Sequence, residues 1–500
     1  MKKNPHKTKS TPFLIFVLLF IISTACNLPI TKPYSGIAPL LTATAAARLQ
    51  NVTVETEIDI ADIDIPEDHY AYTAQSGDTI SSLSNRFQIP TSSILSKENY
   101  KLEDSFHSTL PTGEIVLLHL DTKPEWDTLV RVVPDNYFVY GLTQADFDVK
   151  EYIAQFPGWL ARFVESSNGR NITGPEILLS TAKNYSISPR VLLALLENQL
   201  HALSDPVTPS SFSLGCTDPT RKTLVKHLSW AANVLNNGYY GWREGSQVFF
   251  LDTAGNHLSP NPETNAGSIA FHYYFSRFLS ENELTFALSE NGFQRTYISL
   301  FGEINWNVDR ENPIFPVNLQ QPELTLPLQP GLKWAYTGGP HSPWGTGFPL
   351  AAVDFAPPSS APGCEPSPYW VTAVADGIIT RSEEGILLQD LDGDGITQTG
   401  WVIQYLHLSL AKQLPVGTTL RTGEQIGHPS CAGGNSSGRH VHISRMYNGE
   451  WVPTGGPIPL ELGGWVVING EKEYKGMLTK GQIELRSSSV GEYFSQFPLK

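Results

Sequence analysis

Apolar residues along this chain repeat with several different periods, and each change of period marks a change of structure. Phe13 to Ile22 is an unbroken apolar run of ten residues, preceded by Lys2, Lys3, Lys7 and Lys9. Crossing a bilayer takes about 20 apolar residues, so the run predicts the core of an export signal, not a span. Residues 27–68 mix Pro, Thr, Ala and acidic residues with no sustained period, which predicts a surface tether. Ile80, Leu83 and Phe87 then recur at i, i+3 and i+7, one face of a helix. The turn Gly77-Asp78-Thr79 precedes them, with Asp78 or Thr79 placed to cap that helix. Helical spacing dominates from about Leu142 to Phe301, as in Ile177, Leu178, Ala182, Val191, Leu192, Leu195 and Leu196. Pro313 to Pro330 is a proline-punctuated connector. Beyond it, Gly-rich stretches alternate apolar and polar positions as strands do, for example Trp401 to His407.

These patterns predict a multidomain α+β chain. Its segments are an export signal (1–26), a tether (27–68), a small module (69–120), a mostly helical domain (121–312), a linker (313–330) and a mainly antiparallel-β domain with a C-terminal extension (331–500). A chain of 500 residues is too long for one core, which agrees with several domains. The formal net charge of −15 argues against nucleic acid, whose binding rests on basic patches.

Candidate chemistry gathers in the β domain. In Gly438-Arg439-His440-Val441-His442 a strand would point both imidazoles to one face, because side chains alternate along it. Upstream lie His341, Asp354 in Ala352-Val353-Asp354-Phe355-Ala356, and His407 in Gln404-Tyr405-Leu406-His407. Zinc accepts imidazole nitrogen and carboxylate oxygen, and a catalytic zinc keeps three protein ligands with one open position. No His-Glu-x-x-His helix is present, so no glutamate is placed by motif as general base. This ordered set, with Val371 to Gly377, Val416-Gly417-Thr418 and Gly423 to Gly427, resembles the M23 (LytM/lysostaphin-like) zinc endopeptidases, which cleave peptidoglycan cross-links. The resemblance runs from about Leu332 to Met446. It implies one zinc per chain on His341, Asp354 and His442, with His407 and His440 as catalytic, non-ligand histidines. The twelve residues between His341 and Asp354 are more than family members usually have there, and they include two Gly and two Pro. The alternative function is a non-catalytic wall-binding lipoprotein that activates another hydrolase.

Ser23-Thr24-Ala25-Cys26 resembles a bacterial lipobox, which implies lipidation of Cys26 and a membrane anchor facing the cell wall. Serine stands three before the cysteine where leucine is usual; cleavage after Ala25 would instead leave a soluble exported protein. Tyr72 to Ile80, with Pro111 to Leu117, resembles a LysM domain, which implies a small βααβ fold. That resemblance implies binding to N-acetylglucosamine-containing glycan strands, with contacts from Gly77, Asp78, Thr79 and Ile80 and from the loop around Ser96 to Tyr100. Ser186 to Glu197 faintly resembles the helix of lysozyme-like lytic transglycosylases, which makes Glu197 a candidate acid for glycan cleavage. The serine and glycine that normally follow that glutamate are absent, so a spacer or wall-docking role is the alternative.

An oxidising compartment allows disulfides, and Cys364 and Cys431, in loops flanking predicted strands, are a candidate pair. Cys216 is left over. Asp390-Leu391-Asp392-Gly393-Asp394-Gly395 resembles the start of a calcium loop, with Asp390, Asp392 and Asp394 as candidate ligands. Trp401 stands at the twelfth position in place of glutamate, so the segment reads either as a calcium site or as a solvated hairpin tip.

Overall fold

The protein is seen in a computed structural model that describes residues 65–96, 109–120 and 126–499, apart from 168, 360–362, 410 and 412. The export signal, Cys26, nearly all of the tether and the loop from Lys97 to Tyr100 lie outside these residues. Everything described falls within one unit, Ile60–Lys500. Among the described residues no helix is long and apolar enough to cross a membrane.

The N-terminal module contains β1 (His69–Thr73), α1 (Ile80–Phe87), β2 (Ile94–Ser96) and β3 (Ile115–His119), with the sheet ordered β1–β3–β2. Helix α1 starts at Thr79, whose side chain accepts from the Ser82 amide while Ser82 Oγ accepts from the Thr79 amide. Ile80, Leu83 and Phe87 face the module core, as their spacing predicts. The βααβ expectation calls for a second helix in the module. Over Thr91–Ser96 the described chain instead makes a 3-10 turn and the short strand β2. Thr91, Ser92 and Ser93 are weak helix formers, and Ile94 and Leu95 pair with Leu118 and Leu117 of β3.

The middle domain is built on α2 (Gly174–Tyr185), α3 (Pro189–Leu200), α4 (Leu224–Arg243), α5 (Ala266–Ser276), α6 (Glu281–Leu288) and α7 (Phe293–Phe301). Several starts are legible in sequence. Thr173 and Glu176 form a capping box, and Ser188 and Thr223 cap α3 and α4 through their hydroxyls.

The C-terminal region contains β4 (Ala335–His341), β5 (Ala352–Ala356), β6 (Gly377–Glu383), β7 (Ile386–Asp390), β8 (Trp401–Leu406), β9 (Thr419–Leu420), β10 (Val441–Tyr447) and β11 (Glu450–Trp451). They form an eight-stranded sheet ordered β9–β6–β7–β8–β10–β5–β4, with β11 beside β10. Every pairing in it is antiparallel. A four-stranded sheet follows, made of Glu461–Leu462, Trp465–Asn469, Gly476–Lys480 and Ile483–Arg486.

Alternation divides the large sheet cleanly. Val353, Phe355, Ile403, Tyr405, Val441 and Ile443 point into a core shared with Leu462, Trp465, Val467 and Leu478 of the smaller sheet. Residues of the opposite parity, Val402, Leu406 and Met446, join the core of the helical domain. Helices therefore cover part of the same face that carries Asp354 and His442. Glu450 of β11 joins the two domains. Its carboxylate accepts from Arg243 Nε at 2.9 Å, Arg243 Nη2 at 2.8 Å and Tyr239 Oη at 3.0 Å, all buried. Removing one member of so dry a pair strands the other charge.

Candidate metal centre

The register of three strands assembles the site. His442 on β10 lies directly opposite Asp354 on β5, and Asp354 lies opposite Gly338 on β4. Directly opposed residues of antiparallel neighbours share a face, so the carboxylate and imidazole stand side by side. A bulge shifts the β4 register between Gly338 and His341 and brings His341, the last residue of that strand, to the same place. Gly338 is required there, since a Cβ at that position would overlap the Asp354 carboxylate.

Three ligand-type atoms converge. His341 Nε2 lies 3.0 Å from His442 Nδ1 and 3.4 Å from Asp354 Oδ1. His442 Nδ1 lies 3.2 Å from the same oxygen. Donors on a tetrahedral zinc at about 2.0–2.1 Å stand roughly 3.3 Å apart, so the triangle has the size of that coordination face. Its chemistry fits as well. His341 Nδ1 donates to Gly339 O at 2.8 Å, which leaves Nε2 as a lone pair aimed inward. Asp354 Oδ1 is buried with no hydrogen-bond partner. A carboxylate oxygen facing imidazole lone pairs at these distances is costly unless a cation or a proton sits among them. Burial acts first on Asp354 and would raise its carboxyl, but His341 and His440 outweigh it and hold the group well below the usual carboxylate range. Burial pushes His442 down to about 4, a neutral, ligand-ready imidazole at pH 7.

Two further imidazoles border the triangle. His440 Nε2 is 3.5 Å from Asp354 Oδ1, and its Nδ1 donates to Gly438 O at 2.7 Å. His407 follows β8 in a left-handed conformation, φ 66, and its Nδ1 donates to Ala432 O at 3.0 Å. The two rings lie 4.4 Å apart, centroid to centroid. Burial, then the neighbouring His440 and His442, push His407 down to about 3. Each backbone carbonyl fixes a tautomer, so each Nε2 presents a lone pair.

Sequence reasoning did not single out four other parts of the site. The Tyr474 ring stacks on His341 at 4.2 Å and 20°. Trp344, in the loop after His341, packs partly against the helical core. Gly434, at φ +62, lies beside both Trp344 and His407. Asn233 and Asn237 of α4 hold the same loop: Asn233 Oδ1 accepts from Thr346 N at 2.8 Å and Asn237 Oδ1 from Phe348 N at 2.9 Å.

The remaining predicted residues lie elsewhere. Cys364 and Cys431 are joined in a disulfide, and Cys216 is a free thiol. Asp390, Asp392 and Asp394 cluster at a hairpin tip. The Asp390 oxygens already accept from the amides of Asp392 and Gly395, and Asp394 accepts from Ile396 N and Thr399 Oγ1. Glu197 accepts from Leu203 N at 2.7 Å and caps the turn after α3. Gly77 to Ile80, where glycan contacts are expected, are engaged within the chain. Asp78 is buried and accepts from Tyr72 Oη, Gln75 N and Arg86 Nη2 at 2.6, 2.8 and 3.0 Å. Thr79 caps α1 and Ile80 lies in the core, while a Cβ on Gly77 would strike the Arg243 guanidinium. That turn packs on the helical domain through Arg243.

Comparison with known proteins shows what the chain is similar to. Residues 131–314 match the family described as LasA, N-terminal domain, which covers most of the helical domain. The chain is 23% identical over 347 residues to Protease LasA of Pseudomonas aeruginosa (strain UCBPP-PA14), spanning 64% of this chain and 74% of that protein. It is 27% identical over 141 residues to beta-lytic metalloendopeptidase of Achromobacter lyticus, spanning 27% of this chain and 35% of that protein. Among solved structures, the M23 metalloprotease pseudoalterin from the deep sea aligns with 33% of this chain and 96% of that one, at 26% identity and a TM-score of 0.29. The relatives are named as proteases and metalloendopeptidases. The chain is thus similar in sequence to proteins named as proteases, and its residues 131–314 to the LasA N-terminal domain family.

Proposed function

We propose that this protein is an exported, zinc-dependent endopeptidase that hydrolyses peptide cross-links of bacterial peptidoglycan. The observation that carries this reading is the convergence of His341 Nε2, Asp354 Oδ1 and His442 Nδ1 within 3.0–3.4 Å, beside two further imidazoles. These three residues would hold the ion. When bound, it supplies Lewis acidity that polarises a scissile carbonyl and lowers the pKa of water toward roughly 7.

The remaining work falls to the chain. Gly438 and Ala432 carbonyls pin His440 and His407 with their Nε2 lone pairs inward, so each can accept a proton from water. The same nitrogen, once protonated, can stabilise negative charge on the former carbonyl oxygen or hand a proton to the departing amine. Tyr474 and the Gly339 carbonyl fix the plane of His341. Anchoring on the wall is assigned to the N-terminal module and to a lipid on Cys26, both on sequence resemblance.

The test is digestion of purified peptidoglycan by the full chain, with fragments read by mass spectrometry. New amino termini from cross-bridge cleavage, lost on chelation and restored by Zn2+, are expected. Undiminished digestion after chelation would overturn the zinc assignment. A chain that holds no zinc and releases nothing would favour the activator role.

A further inference from the structure

The N-terminal module carries a second group of metal-type ligands, remote in sequence from the first and sharing no residue with it. His69 begins β1 and His119 ends β3, and the two are directly opposed in the antiparallel register. Tyr70 and Tyr72 turn toward the module core, so alternation puts His69 on the other face, and His119 shares it as its cross-strand partner. The rings sit 5.1 Å apart, centroid to centroid. Asp68 bridges them, with Oδ1 at 2.8 Å from His69 Nδ1 and Oδ2 at 3.1 Å from His119 Nδ1.

We propose that Asp68, His69 and His119 form a second metal site, for a borderline divalent transition ion such as Zn2+. Two imidazole nitrogens and one carboxylate oxygen are a donor set that zinc takes readily, whereas calcium and magnesium prefer all-oxygen shells. The donor atoms lie within 4.8 Å of one another, so modest side-chain rotation closes the triangle on an ion. A neutral imidazole that gives its Nδ1 lone pair to the ion carries its proton on Nε2, so binding shifts each proton within the ring. Side-chain exposures of 10% for His69, 39% for His119 and 59% for Asp68 leave one side open for water as a further ligand. Such an ion would tie together the strand ends at which the chain enters and leaves the module. The Leu120 amide already donates to Asp68 O across this end of the ladder at 3.2 Å.

The experiment is a zinc titration of the full chain after chelation and dialysis, at about pH 7.5. Wild type is expected to take up about two equivalents. His119→Asn and Asp68→Asn should each remove one equivalent and leave peptidoglycan hydrolysis within about twofold of wild type. Asp354→Asn should remove the other equivalent together with hydrolysis. His69→Asn adds a third variant should either of the first two fold poorly. A wild type that binds one equivalent, lost only with Asp354→Asn, would overturn the second site. So would a second equivalent that survives all three substitutions in the module. One equivalent lost with His119→Asn but kept in Asp354→Asn would support the second site while refuting the catalytic one.

Discussion

Asp354 and His442 stand directly opposite each other on adjacent antiparallel strands, with Asp354 Oδ1 3.2 Å from His442 Nδ1. The backbone ladder itself fixes this pair, so the metal centre depends on strand register more than on loop conformation. A slip of one residue would turn both side chains to the opposite face.

Asp354→Asn and His442→Ala should each leave the chain folded and lose the zinc held at this centre. Hydrolysis should fall by at least about a thousandfold, since neither Lewis acid nor activated water would remain. Metal content per chain, measured alongside digestion, checks this. Full zinc occupancy in either variant would show that the ion sits elsewhere.

His407→Ala should retain zinc and lose rate by about 10²–10⁴-fold, the usual worth of positioned proton transfer. The discriminating readout is occupancy against kcat. Loss of zinc in this variant would make His407 a ligand.

Gly338→Ala should lower zinc affinity by about 10–100-fold without touching a ligand, because the new methyl displaces the Asp354 carboxylate. A competition assay with a chelating dye measures it. Unchanged affinity would show that the strands yield to make room.

Glu244 supplies a pH test. Burial pushes its carboxyl up to about 8, and its Oε1 is buried without a hydrogen-bond partner. In the unfolded chain it titrates near its ordinary 4.5. Between these values the unfolded state loses the proton first, so stability falls as pH rises from 4.5 toward 8. Glu244→Gln removes that slope and should add up to about 3 kcal/mol at pH 7. Denaturant melts of both chains from about pH 5 to 8 check the sign, and equal slopes would contradict it.

Much of the site was legible because its chemistry is local. The His-x-His alternation, the strand holding Asp354 and the strand ending at His407 all appear in short windows. Tertiary packing accounts for most of the rest. Gly77-Asp78-Thr79 reads as a strand-to-helix turn, and nothing local shows that Arg243, more than 160 residues later, packs against it. Glu197 reads as a candidate acid on a helix, but the amide that engages it, Leu203, belongs to the following turn. Tyr474 carries no motif and reaches His341 only because the smaller sheet folds back onto β4.

The long stretch between His341 and Asp354 weakens the motif when read as text, but in three dimensions it has a use. Its Thr346 and Phe348 amides hang on two asparagines of one helix, so a ligand-bearing strand end is moored to a neighbouring domain. Substitutions at Asn233 or Asn237, outside any signature of the chemistry, should therefore register as changes in how tightly the ion is held. A shorter connection would free the β domain from its helical neighbour and forfeit that mooring.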